Sequence, residues 1–325
     1  MRWIRSQELA WESRWSLPTG LITLVAVAML VASAIVIGQV SGDGEAELLR
    51  SANEHASAVT LSSLLQAIGF VLLVAPLYFL FRATAARSNK VRYQLVGLVV
   101  AAPLFFAVSS VLNATATNQA ADAFAAGEAK STLTAEEATE ECRSDLKDKG
   151  KKEFGEEFDA GPNPSADCVH TKVADDEATN ALSEASTRGL ATGFGLGGRL
   201  GLAVALVYSC LWAMRVGLLS RFWGSLGMAL GVAALLLLVQ FVLIWFLYFA
   251  LLLIGRIPGG RPPAWAAGEA IPWPTPGEKA AAELAGPDGL PEDEDGFTPE
   301  DGDRGRPEDD GEGAPGERRK RKQRD

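Results

Sequence analysis

Residues 222–255, FWGSLGMALGVAALLLLVQFVLIWFLYFALLLIG, run for 34 positions without one charged side chain. A helix at a protein surface keeps a polar face toward water, and this stretch has none. Its backbone must therefore pair internally in an apolar medium, which selects a helix in lipid. As one helix it would be about 50 Å long at 1.5 Å per residue. A hydrocarbon core is ~30 Å thick, and two full crossings need about 40 residues. The stretch is thus long for one span and short for two. No glycine or proline marks a turn near Gln240, which favours one long tilted helix. The charges on either side favour a tight hairpin, and the hairpin is our reading.

Outward from this stretch the chain is sharply sorted. Its 325 residues are 48% hydrophobic and 22% charged, the averages of a soluble protein. Yet 222–255 has no charge while 287–325 has almost no large apolar residue. Four more apolar runs precede the last one, at 21–40, 58–81, 91–112 and 200–219. The fold class expected is all-α, a polytopic transmembrane bundle of five or six spans. It carries a small helical extracytoplasmic loop and a disordered C-terminal tail. We divide the chain into an interfacial lead (1–20), three spans with short loops (21–112) and an acidic loop (113–188). A glycine-rich span plus the long apolar segment (189–255) and a Pro/Gly-rich tail (256–325) complete it.

The lead holds Arg2, Arg5 and Arg14 with Trp3, Trp11 and Trp15. A secretory signal peptide is one reading. A retained anchor preceded by an interfacial stretch is the preferred one, because Ala32-Ser33-Ala34 lies inside the apolar run. Pro76 and Pro103 fall within the second and third runs as candidate kinks, tolerated where neighbours satisfy the freed carbonyl. Gly193, Gly197 and Gly201, then Gly227 and Gly231, recur at intervals of four. That spacing lets helix backbones approach closely, within the fold or between copies in a homo-oligomer.

Lysine and arginine favour the cytoplasmic side of short loops. The lead is basic, 41–57 has only Arg50, and Arg82, Arg87, Lys90 and Arg92 follow the second run. The N-terminus is therefore expected in the cytoplasm of a cell with the chain in its plasma membrane. The segment 113–188, with 17 acidic and 8 basic side chains, then lies outside. Thr134 and Glu137 form a capping-box start for a helix to about Lys147. Residues 175–187 read as a second helix, and Gly161-Pro-Asn-Pro164 as the break between them. Cys142 and Cys168 invite a disulfide in an oxidising compartment; free thiols, or a metal with His170, are the alternatives. Closing that loop is worth about 3.5 kcal/mol in the chain-entropy model.

The tail holds Trp265 and Trp273 among prolines, for the membrane surface or the helix ends, then an acidic run. It ends on a basic cluster, Arg318, Arg319, Lys320, Arg321 and Lys322. Anionic lipid or a protein partner suits that cluster; nucleic acid is the disfavoured reading. No nucleophile elbow, phosphate loop or zinc-protease motif occurs. No catalytic residue, cofactor or metal site is therefore assigned, with His55 and His170 the only histidines. The functions weighed are a membrane scaffold or sensor-like interaction protein, then a transporter or channel for a small solute.

Three short pieces carry a resemblance: RFWGSLGMALG at 221–231, GRIPGGRPPAW at 255–265 and PWP at 272–274. They resemble a group of uncharacterised multi-pass membrane proteins of GC-rich, actinobacterial-type bacteria. The likeness covers about 189–276. It implies a last apolar stretch broken into a hairpin by prolines, although no proline interrupts 222–255 here. It implies no activity.

Overall fold

The computed structural model describes residues 2–154, 164–236, 239–257 and 260–273. Every regular element among them is a helix. Four helices are long and apolar enough to cross a membrane: Gln7–Ile37, Ala56–Arg87, Tyr93–Ala125 and Arg188–Arg215. They form the greater part of α1 (Arg2–Ile37), α3 (Ala56–Arg87), α4 (Val96–Ala125, entered by a 3-10 turn) and α7 (Arg188–Arg215).

Each helix extends past at least one end of the apolar stretch that announced it. The lead that reads as interfacial is continuous with α1, with Pro18 inside the helix. α4 continues thirteen residues past Leu112 through an alanine-rich segment. α7 begins twelve residues before Leu200, and within that overhang Gly195, Gly197 and Gly198 pack on Ser109, Phe105 and Phe106 of α4. Hydropathy marks where a helix meets lipid; helix propensity and tertiary contact mark where it ends.

The last apolar stretch folds back on itself. α8 (Arg221–Ala233) leads through a 3-10 turn, Ala234–Leu236, to α9 (Val239–Ile254). Trp223 at the start of α8 stacks on Tyr248 near the end of α9, with ring centroids 3.5 Å apart. The Trp245 indole N–H donates to the Trp223 carbonyl at 3.1 Å. A Cβ on Gly227 would sit 2.6 Å from Trp245 Nε1. These pairings make α8 and α9 an antiparallel hairpin. At 13 and 16 residues its arms are about 20 and 24 Å long. Neither arm alone matches a ~30 Å hydrocarbon core.

The six apolar helices form a ring in the order α1, α3, α4, α7, α8, α9, closed by α9 against α1. Gly20 of α1 sits under Ala250, Leu253 and Ile254 of α9, where a Cβ would lie 2.8 Å from the Ile254 side chain. The core is aromatic near the hairpin, with Phe79, Phe81, Trp245, Phe246 and Phe249 fully buried.

One end of the ring is latched by residues 260–273, which composition groups with the tail. α10 (Pro263–Ala267) lays Trp265 into the bundle, 8% exposed. Its indole donates to the Leu218 carbonyl at 2.9 Å, and Trp273 donates to Leu219 at 2.8 Å. Both tryptophans thus lie against the helix ends. The Ile271 amide donates to the Val216 carbonyl at 3.1 Å. Gly217, at φ +81°, leaves the room for this; any Cβ there would strike the Ile271 carbonyl. Arg87 of α3 donates to the Ala264 carbonyl and forms a forked ion pair with Glu12 of α1, both side chains buried. Arg82 lies over the Trp11 ring at 3.9 Å.

The opposite end carries a cap of α2 (Glu45–Glu54), α5 (Ala135–Phe154) and α6 (Ala166–Glu184). Its own core is mostly alanine: Ala46, Ala52, Ala120, Ala121, Ala178 and Ala181 around Leu49. Small side chains bring the helices close but bury little area each.

Candidate functional site

Two features could meet a ligand or partner, the cap and a cavity beneath it. The cavity follows from the hairpin's length. α8 and α9 fill the gap between α7 and α1 at the latch end and stop short of the cap. The space left is about 1000 Å³, lined by α1, α3, α4 and α9. Its walls are mainly apolar: Val27, Leu30, Val31 and Ile35 on one side, Leu243, Ile244 and Leu247 on the other. It joins a smaller pocket of about 410 Å³ reaching α7. The two share Gln66, Phe70, Ser110, Asn113 and Gln240.

The smaller pocket is polar. Arg188 and Arg199 line it with Ser109 and Thr192, and neither pocket is lined by an acidic residue. Arg188 donates to Asn113 Oδ1 at 3.2 Å. Arg199 Nε is buried and has no hydrogen-bond partner among the described residues. A buried donor left unsatisfied costs about 1–3 kcal/mol, more on a charged group.

Two neighbouring carboxylates on α6 tie the cap together. Asp175 on α6 accepts from the Ala46 amide at 2.9 Å, so a side chain distant in sequence caps the start of α2. Asp176 accepts from the amides of Thr132 at 2.6 Å and Leu133 at 3.1 Å, and from the Ser131 hydroxyl at 2.8 Å. Partial burial pushes the Asp176 carboxyl up, but these donors outweigh it and hold it below its ordinary value. Glu137 is also held low, by the Thr134 amide and hydroxyl. That pair is the expected capping box, with Thr134 N to Glu137 Oε2 at 2.9 Å and Glu137 N to Thr134 Oγ1 at 3.3 Å. α5 runs on past Lys147 to Phe154. α6 starts nine residues before the expected 175, because Ser165 caps it by accepting from the Cys168 amide. Of the expected break, Pro164 is non-helical and 161–163 lie outside the described residues.

Cys142 and Cys168 are joined in a disulfide, Cα atoms 6.1 Å apart, pinning α5 to α6. Lys172 reinforces it through Asp145 at 2.7 Å, a hydrogen bond that raises the lysine's pKa. His170 lines a separate polar cleft of about 760 Å³ with Asp43, Glu47, Asp167 and Asp175. His55 sits at the α2–α3 junction, its ring Nδ1 3.0 Å from the Ser51 carbonyl. Among the described residues no group of three His, Cys, Asp or Glu side chains is placed to hold a metal ion.

Four of the five spaced glycines lie in close helix contacts. A Cβ on Gly197 would be 3.0 Å from the Phe105 ring, on Gly201 2.8 Å from Ala102, and on Gly231 3.0 Å from Leu206. Gly227 meets Trp245 and Cys210, the buried free cysteine. Gly193 faces open space. Pro76 and Pro103 are buried within α3 and α4, neither of which is interrupted. Arg318, Arg319, Lys320, Arg321 and Lys322 lie outside the described residues.

Asp175, Asp176 and the Glu12–Arg87 pair escape a reading of local pattern, since each acts across 43 or more residues of chain. Arg199 stands in the sequence beside the fourth run, at 200–219, but nothing local marks its orphaned nitrogen. Comparison with protein-family models, curated proteins and solved structures gives no match.

Proposed function

We propose that this chain is an integral plasma-membrane protein of the interaction or sensing kind, its outer cap receiving a partner or ligand. The carrying observation is the bonding of α6, through Asp175 and Asp176, to the start of α2 and to the loop after α4. A tilt of α6 would be felt at both helix ends, because α2 is separated from α3 only by His55. The charge distribution supports an outward cap and a cytoplasmic N-terminus: Arg82, Arg87, Arg215 and Arg221 lie on α3, α7 and α8 toward the latch end. The bundle would then comprise four spans and a re-entrant hairpin. Kinship with the actinobacterial-type membrane proteins remains part of this reading.

A photo-crosslinking amino acid at Glu136, exposed on α5, tests it in intact cells. A discrete protein or ligand adduct, absent when the probe is at Phe222, supports the reading. Adducts to bulk lipid alone, or none, count against it.

Transport of a small solute is the second reading. It is favoured by the part-way hairpin, since irregular backbone at membrane depth is tolerated where it lines a cavity. Solute flux into proteoliposomes above that of empty vesicles, removed by Gln240→Leu, would support it; no flux across a broad solute panel would not.

A further inference from the structure

We propose that the joined cavity binds one anionic lipid, with its headgroup on Arg199 and an acyl chain in the apolar chamber. Three observations on different atoms converge. First, the cavity's charge is one-sided: Arg188 and Arg199 line it and no Asp or Glu does. Arg188 is engaged by Asn113, while Arg199 Nε is buried and unpartnered. A guanidinium presents a planar fork of donors that matches two oxygens of a phosphate. Second, the surrounding polar groups are neutral. Gln66 and Gln240 can donate to the ester and glycerol oxygens of a lipid without competing for its charge, while the Ser110 hydroxyl is already given to the Phe106 carbonyl at 2.8 Å.

Third, the polar pocket opens into a chamber of about 1000 Å³ whose walls are aliphatic. A free inorganic anion would satisfy Arg199 and leave that chamber unfilled. A neutral apolar molecule would fill the chamber and leave Arg199 unmet. A charged head on a hydrocarbon chain answers both. Ile35 and Ile244, on α1 and α9, line the chamber and are 69% and 57% exposed. The chamber therefore opens sideways, where lipid would stand around apolar helices. The proposal takes only the membrane location from the preceding section and is independent of the cap's role.

The test is native mass spectrometry of the full chain released from nanodiscs. Phosphatidylglycerol and phosphatidylcholine are compared, with and without inorganic phosphate. The wild type is expected to retain one phosphatidylglycerol at least tenfold more strongly than phosphatidylcholine, undisturbed by millimolar phosphate. Arg199→Gln should lower that retention at least tenfold, and Arg199→Lys should restore part of it. Ile244→Trp, at an exposed position that leaves the charge in place, should block the chamber and lower retention of the same lipid. Equal retention by Arg199→Gln and wild type overturns the proposal. So does displacement of the lipid by inorganic phosphate, which would make this a simple anion site. If Arg199→Gln does not fold, unchanged retention in Ile244→Trp overturns it alone.

Discussion

Glu12 and Arg87 show how much one pair can carry at the latch end. Their side chains are 6% and 1% exposed, and the arginine also holds the Ala264 carbonyl. Removing one partner of a buried pair leaves an uncompensated charge, typically at a cost of 3–5 kcal/mol. Glu12→Ala should therefore lower the thermal midpoint in detergent sharply, and Glu12→Ala/Arg87→Met should recover part of the loss. At the cap end the carboxylates set a pH dependence. Asp176 and Glu137 are held below their ordinary values of 3.8 and 4.5. Their contribution is whole above those values and fades as the pH falls through the lower folded ones. Lys172 has the opposite sign: its support is whole below 10.5 and fades as the pH rises through its raised value. Circular dichroism of the cap against pH should show acid loss that Asp176→Ala diminishes. Apart from Glu137, whose capping partner is three residues away, none of these roles could be read locally. A carboxylate that caps a helix or loop distant in sequence looks, in the chain, like any other acid on a polar helix.

Among elements, the α8–α9 hairpin separates what pattern reveals from what packing decides. Absence of charge identified a membrane element, and its length left one helix and two in balance. The deciding contacts, Trp223 on Tyr248 and Gly227 under Trp245, depend on side chains meeting only after the turn is made. Gly227→Leu should therefore cost about 1–3 kcal/mol by overpacking, whereas Gly193→Leu, facing open space, should be near neutral; parallel thermal melts in one detergent would compare them. The capping box before α5 was legible because its two partners are three residues apart. The start of α6 was not, since Ser165 caps a polar stretch with no hydrophobic period to flag it. The disulfide binds these two helices, which share little apolar area. Cys142→Ser should loosen the cap by up to about 3.5 kcal/mol, read as faster limited proteolysis between α5 and α6 while the spans stay protected.

At the scale of the whole molecule, the turned-back hairpin brings residue 255 to the end of the ring where α1 begins. Cysteines introduced at Arg14 and Glu269 should thus react with a membrane-impermeant reagent from the same side, and one at Glu136 from the other. Labelling of Arg14 and Glu269 from opposite sides would contradict this arrangement. Contact between α1 and α9 closes the ring, and its two faces are separated by more than 200 residues, Gly20 meeting Ile254. At roughly 5–20 residues per second, synthesis of the intervening chain takes about 10–50 s. For that interval the flank of the first helix stands without its final neighbour. That flank of α1, unlike the one packed on α3, is thereby covered late, and a protein inserted in this order would need lipid or an insertion factor to shelter it.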